Sequence, residues 1–327
     1  MAQSAADFNV GAPAPSARVG IEPEGPGIRA RTPRQIFWAR FKQDKLALVG
    51  AGLVLFMITI ALAAPVSEAI TGHRYDEQFR GFESEGGMLN DFGTPVGPNV
   101  ERKFYFGADA LARDLFVRVL YGARTSLQVA IIATGFEIAI GVFMGMLAGY
   151  LRGWVDTLVS RMIDLILSIP FLLLAIALSV SYGGSKTLVL IVIVFFGWPY
   201  IARIVRGQVL SLRESQFVEA ALSIGAPTRW VMGRELLPNL IAPVIVYGTL
   251  IIPTNILIEA ALSFLGVGIQ EPTASWGKML SDATGYVIYG AAWWYMLFPG
   301  LFLFITVLGF NLLGDGLRDA LDPKTRS

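Results

Sequence analysis

Six apolar runs, separated by segments dense in charge, glycine and proline, dominate the hydrophobic pattern of the chain. They cover residues 46–66, 126–151, 157–182, 187–209, 236–266 and 286–314. The first contains no Asp, Glu, Lys or Arg, and every run reaches the roughly 20 residues needed to cross a bilayer core. A backbone in lipid must satisfy its own hydrogen bonds, so each run predicts a helix. Together they predict an all-α membrane protein with six transmembrane helices. An even number of crossings puts both termini on one side. Arg34, Arg40, Lys42 and Lys45 precede the first run, and Arg152, Arg203, Arg206, Arg213, Arg229 and Arg234 gather around loops on that same side. The short opposite loops hold Lys186 and Lys278. This asymmetry places both termini in the cytoplasm.

The stretches between the runs suggest five regions. Residues 1–34, rich in Ala, Pro, Gly and Ser, read as a disordered cytoplasmic tail. Residues 35–66 combine an interfacial segment, with Ile36, Phe37, Trp38 and Phe41, and the first transmembrane helix. Residues 67–125 are too long for a turn and form an irregular extracytoplasmic insert. Residues 126–314 hold a five-helix core with a cytoplasmic loop at 210–235, and 315–327 form a cytoplasmic tail. Ala61-Leu62-Ala63 loosely resembles a signal-peptide cleavage site. The leader before it is too long and polar for that, so the first helix is expected to stay uncleaved.

Composition sharpens the class. Hydrophobic residues make up 54% of the chain and charged ones 16%, with a mean hydropathy of +0.58. Soluble domains carry about 25% charged residues. The net charge of +1 supplies no basic field for nucleic acid. With no cysteine and one histidine, His73, disulfides, thiolate sites and a histidine cluster for zinc or haem are all excluded. No catalytic residue and no cofactor site is expected on this chain.

Within the runs, Gly141, Gly145 and Gly149 repeat every four residues and predict close helix contact. Pro170, Pro199, Pro243, Pro253 and Pro299 each remove a backbone donor from a run. Proline is also commoner in membrane helices generally, so a single one does not mark a transporter. Glu137 lies mid-run, where a carboxylate costs several kcal/mol unless paired, neutral or facing water. Two readings stand side by side: a group facing or supporting a pathway, and a protonated carboxyl hydrogen-bonded in the bundle. Asp164 with Arg161, and Glu259, read as structural groups nearer the ends of their runs. Trp293, Trp294 and Tyr295 read as an interfacial belt. Gly183-Gly184-Ser185-Lys186-Thr187 lacks the phosphate-loop spacing and follows no strand, so no nucleotide site is assigned to it.

The cytoplasmic loop is the most informative segment. Glu219-Ala220-Ala221-Leu222-Ser223-Ile224-Gly225 predicts a short helix stopped by glycine, and Leu237-Pro238-Asn239 opens the fifth run. Small Ala220 and Ala221 would let that helix seat in a partner's groove, with Glu219 and Arg229 as polar anchors. The spacing resembles the E-A-A-x3-G-x9-I-x-L-P motif of bacterial ABC import permeases, with Glu235 at the usual apolar position. Further segments extend the resemblance in order along the chain. They are Arg40-Phe41 with Lys45-Leu46-Ala47-Leu48, Phe106 to Asp114 followed by Tyr121-Gly122-Ala123-Arg124, Ser263-Phe264-Leu265-Gly266, Gln270-Glu271-Pro272, Ser275-Trp276-Gly277, and Gly314 to Pro323. In the second of these, Ala108 and Ala112 stand where the family has Thr and Gly.

The chain therefore resembles the C-type permease subunit of oligopeptide and dipeptide ABC importers, nearer the oligopeptide branch. The resemblance implies a type I importer core in a bacterial inner membrane. It also implies a homologous second permease, two ATPases that bind ATP and Mg2+, and an external peptide-binding protein. Glu219, Ala220, Ala221, Gly225, Arg229, Leu237, Pro238 and Asn239 would then form the coupling element for the ATPase. Relatives also carry nickel chelates or glutathione. A proton-coupled secondary transporter relaying through Glu137, and a non-transporting scaffold, are the readings that lack this resemblance.

Overall fold

The computed structural model describes residues 32–288, 290 and 292–321. The expected tail therefore falls outside the described residues for 1–31, as does the C-terminal stretch 322–327. Helix α1 (Pro33–Gln43) meets α2 (Lys45–Leu62) at Asp44, whose carboxylate caps α2 by accepting from the Leu46 and Ala47 amides at 2.9 and 3.1 Å. After Ala63, the short α3 (Ala64–Thr71) ends at Gly72, which adopts φ +82°. The insert that follows has only a 3-10 turn, Glu83–Glu85, and isolated bridges. Its own small core joins Met88, Phe104, Ala108 and Ala112.

Asp114 then caps α4 (Leu115–Leu151), accepting from Phe116 and Val117. This helix begins well before the expected residue 126. Arg118 and Arg124 depress the hydropathy of its first turns, yet those turns pack against the insert and stay helical. The expected third span, 157–182, is not one helix. It divides into α5 (Gly153–Ser168) and α6 (Phe171–Tyr182), bent by 74°. Pro170 explains the break: it lacks an amide proton and drives the preceding Ile169 to extended geometry, φ −79° and ψ 125°. At Pro199, Pro243, Pro253 and Pro299 the helices run on without interruption.

Helix α7 (Lys186–Arg213) leads to α8 (Gln216–Ser223), one turn of α9 (Thr228–Trp230), a π-helical segment (Val231–Leu236) and α10 (Leu237–Phe264). The expected sixth span, 286–314, also divides. α11 (Trp276–Ile288) ends before Gly290, at φ +67°, and α12 (Trp293–Leu321) carries the crossing. Among the described residues five single helices are long and apolar enough to cross a membrane, and the bent α5–α6 pair makes a sixth crossing if counted as one. Among the described residues there is no strand.

Helix α4 is the hub. Its longest seam is with α7, while α10 and α2 cover its other flanks and α12 joins α2 to α10. The main apolar core lies between α4, α5 and α7, around Val129, Ala133, Ile163, Val192 and Trp198. Gly141, Gly145 and Gly149 all sit on the α7 seam, against Ile201, Val205 and Val209, as their spacing predicts.

Candidate functional site

Two features of the bundle carry the functional argument: a projecting helix at one end and a cavity among the long apolar helices. The projection is α8. Val218 and Ala221 are buried on its inner side, in a cluster with Met146 and Tyr150 of α4 and Val209 of α7. Gly225 ends it at φ +79°, its amide donating to Leu222 O at 3.0 Å and the Ala226 amide donating to Ala221 O at 3.1 Å. Phe217, Leu222 and Ile224 point outward, the last 82% exposed. Glu219, Ala220 and Arg229 are exposed too, and neither Glu219 nor Arg229 has an ion-pair partner among the described residues. Leu237, Pro238 and Asn239 lie on the same exposed stretch, where the Asn239 side chain donates to Glu235 O at 2.6 Å.

The expectation that both alanines meet a partner needs correction. Ala220 faces outward, but Ala221 faces the chain's own bundle, because α8 buries one apolar stripe against α4 and α7. Ion pairs brace the helix ends around it: Arg206 with Asp156 at 2.5 Å and Arg152 with Glu214 at 2.9 Å.

The cavity, of about 660 Å³, lies between α4, the α5–α6 break, α7 and α10. Glu137, Ile169, Pro170, Gly197 and Asn255 belong to its wall, and it opens past the exposed Tyr200 and Tyr247. Glu137 is 1% exposed; its Oε2 accepts from Asn255 Nδ2 at 3.1 Å, and that amide also donates to Thr134 Oγ1 at 2.9 Å. Its Oε1 has no hydrogen-bond partner among the described residues. A side chain at Gly197 would strike that oxygen, so α7 needs glycine at this level. A second cavity of about 370 Å³ shares Tyr247 and Leu250 with the first and reaches Arg318 near the end of α12. Asn255 and Gly197 were not singled out by the sequence, although a polar residue in mid-run was the available signal.

The N-terminal TM domain of oligopeptide transport permease C matches residues 32–84. The model of the binding-protein-dependent transport system inner membrane component matches residues 141–327. The chain belongs to this second family. Relatives of this inner membrane component include the dipeptide transport system permease protein of Alkalihalophilus pseudofirmus. It is 41% identical over 298 residues, covering 91% of this chain and 92% of that one. The glutathione transport system permease protein of Escherichia coli O6:K15:H31 is 40% identical, covering 91% and 93%. Among solved structures, the inward-facing MetNI methionine ABC transporter aligns with a TM-score of 0.53 and 20% identity, over 64% of this chain and 98% of that one. That likeness shows the fold. The protein is a multi-pass inner membrane permease, a transport component.

On the side of the permease opposite α8, a charge network joins the insert to the α10–α11 connection. Arg113 donates to Asp109 Oδ2 at 2.7 Å and to both oxygens of Glu271, and Arg118 donates to Glu271 Oε1 at 3.0 Å. Arg118 Nε lies 3.2 Å from Asp109 Oδ2, outside hydrogen-bond geometry. Burial pushes the Glu271 carboxyl up, but the Arg113 hydrogen bond and the charges of Arg118 and Arg113 outweigh it, leaving it below the usual glutamate range. A group held low contributes stability above its unfolded pKa, about 4.3, and loses it as pH falls through the folded value.

Glu271→Ala in the permease is therefore expected to cost about 2–3 kcal/mol at pH 7, less than a fully buried pair because Glu271 is 30% exposed. Thermal unfolding in detergent checks this, and the gap from the unaltered protein should close below about pH 4. An unchanged midpoint at neutral pH would remove the network from the stability account.

Other expectations are corrected here as well. Trp294 and Tyr295 are buried rather than interfacial, and Trp294 donates to Ala108 O at 3.2 Å; only Trp293 is exposed. Asp164 pairs with Arg203 at 3.2 Å, across helices, because α7 brings its cation closer than the helical neighbour Arg161. Glu259, by contrast, does stand near the C-terminal end of α10, as expected of a structural group. It is wholly buried in α10 and accepts from Ser126 at 2.6 Å and Ser263 at 2.8 Å.

Proposed function

We propose that this permease is one of two membrane subunits of an ATP-driven, binding-protein-dependent importer of peptides. The observation that carries the reading is α8: a helix held on the bundle by Val218 and Ala221 while Phe217, Leu222 and Ile224 stand uncovered beside Glu219 and Arg229. An apolar patch with unpaired charges at its edge is the surface that a docking partner covers. In this reading the partner is an ATPase subunit, which alone binds ATP and Mg2+. Both termini and α8 face the cytoplasm, and the insert faces the external binding protein. The cavities along α7 and α10 form this chain's half of the pathway, completed by a homologous second permease. Peptide cargo is supported by the names of the dipeptide and glutathione relatives.

Purification from native membranes in mild detergent, followed by mass spectrometry, tests the assembly. The expected result is co-purification with a second permease and two ATPase subunits, and ATP-dependent peptide uptake after reconstitution with the binding protein. A stable homo-oligomer free of any ATPase would overturn the reading.

A further inference from the structure

The large cavity has a carboxyl group without a cationic partner in its wall. Among the described residues Glu137 is the only Asp or Glu in its wall, and none of the lining residues is Lys, Arg or His. Most of the wall is apolar, with Ile193, Phe196 and Ile258 among the contributors, so a charge there gains little from solvent. Inside the protein the carboxylate is half satisfied: Asn255 serves Oε2, and Oε1 has no donor. Thr134 Oγ1 accepts from the same Asn255 amide and makes no hydrogen bond to Glu137 among the described residues. Buried polar atoms are nearly always paired, so an orphan oxygen on a cavity wall marks a place for a donor from outside the chain. The donor must be cationic to balance the carboxylate, and small enough to enter a space within the roughly 300–1,000 Å³ range of ligand sites.

We propose that Glu137 is the counter-ion for the amino-terminal ammonium group of the peptide cargo as it passes through the permease. The proposal rests on the importer reading and names the group of the cargo that the membrane subunit recognises. Asn255 holds one carboxylate oxygen and fixes the orientation of the other. Gly197 leaves room for that second oxygen on the opposing helix, where both residues belong to the cavity wall. Most of the remaining wall is apolar and offers little that would select one side chain over another. It accepts varied residues behind a shared ammonium, which is the one cation that every unblocked peptide carries. The break at Pro170 supplies the width, because a continuous α5–α6 helix would place a straight wall where the bend now opens.

The test uses the full membrane complex in nanodiscs, without the binding protein, and saturation-transfer NMR. The probes are L-alanyl-L-alanine and N-acetyl-L-alanyl-L-alanine, which share a backbone and differ in the ammonium charge. The expected result is binding of the free dipeptide by the unaltered complex, with the acetylated probe about tenfold weaker or worse. Glu137→Gln should bring the free dipeptide down to the level of the acetylated one. Equal binding of the two probes, no binding of the free dipeptide, or full binding by the Glu137→Gln complex would each overturn the proposal. The probe comparison uses the unaltered protein, so it decides the matter even if the variant fails to assemble. ATP-driven uptake of the free dipeptide in proteoliposomes separates the two levels. Uptake without the ammonium preference leaves the importer and removes the site, whereas absence of all peptide uptake removes both.

Discussion

An Ala221→Trp permease is expected to insert into the membrane, assemble, and lose peptide uptake by about a hundredfold, equivalent to about 2.7 kcal/mol. Ala221 is 5% exposed and sits in the cluster that seats α8 on α4 and α7. An indole cannot fit there, so the helix must lift or rotate away from the bundle. The transmembrane helices themselves are untouched, which is why insertion survives. Under the proposed function, an ATPase drives the permease by moving α8. Turning a two-state pathway from 1:99 to 99:1 needs about 5.5 kcal/mol of differential binding. A displaced α8 transmits only part of that. Gly225→Pro attacks the same element from its end: φ is +79° there, proline holds about −65°, and the amide bond to Leu222 O is lost. Uptake by reconstituted vesicles, beside quantification of the purified complex, is the measurement. Normal uptake by an assembled Ala221→Trp complex would dissociate α8 from coupling.

The crossings were legible because bilayer thickness and backbone hydrogen bonding leave little freedom in how an apolar run of this length folds. What hydropathy could not see were the interruptions. The bend before Pro170 and the turn at Gly290 lie in runs that remain apolar on both sides. Of the five prolines the sequence marked as equal, Pro170 alone divides a helix. The coupling segment was legible as a motif, yet the motif did not tell which alanine faces inward; that depends on how α8 sits on α4 and α7. Glu137 stood out as a charge in lipid. Its setting did not, because Gly197 and Asn255 come from other helices and look ordinary in sequence. Arg118 and Glu271, separated along most of the core, illustrate the same limit: a network closed through space has no local signature.

Gly145→Leu is expected to destabilise the permease by at least about 3 kcal/mol and to eliminate most of the folded protein, whereas Gly135→Leu in the same helix should be tolerated. A Cβ at Gly145 would stand 2.6 Å from Ala202 O and 2.8 Å from Val205 Cβ, so backbone and a branched side chain both block it. Gly141 and Gly149 meet α7 in the same way, at 2.6 Å from Ile201 Cβ and 2.8 Å from Val209 Cβ. Nothing lies within 4 Å of a Cβ at Gly135, which is exposed and loses only glycine's backbone freedom. The contrast separates two roles for one residue type: close approach at the seam, and mere tolerance outside it. It also reaches the cavity, because the seam that Gly145 keeps tight sets the distance between Glu137 on α4 and Gly197 on α7. The midpoint of thermal unfolding and the yield of monodisperse complex measure the destabilisation. A Gly145→Leu protein as stable as the unaltered one would mean that α4 and α7 can separate freely, and the glycine seam would then not set the width of the cavity.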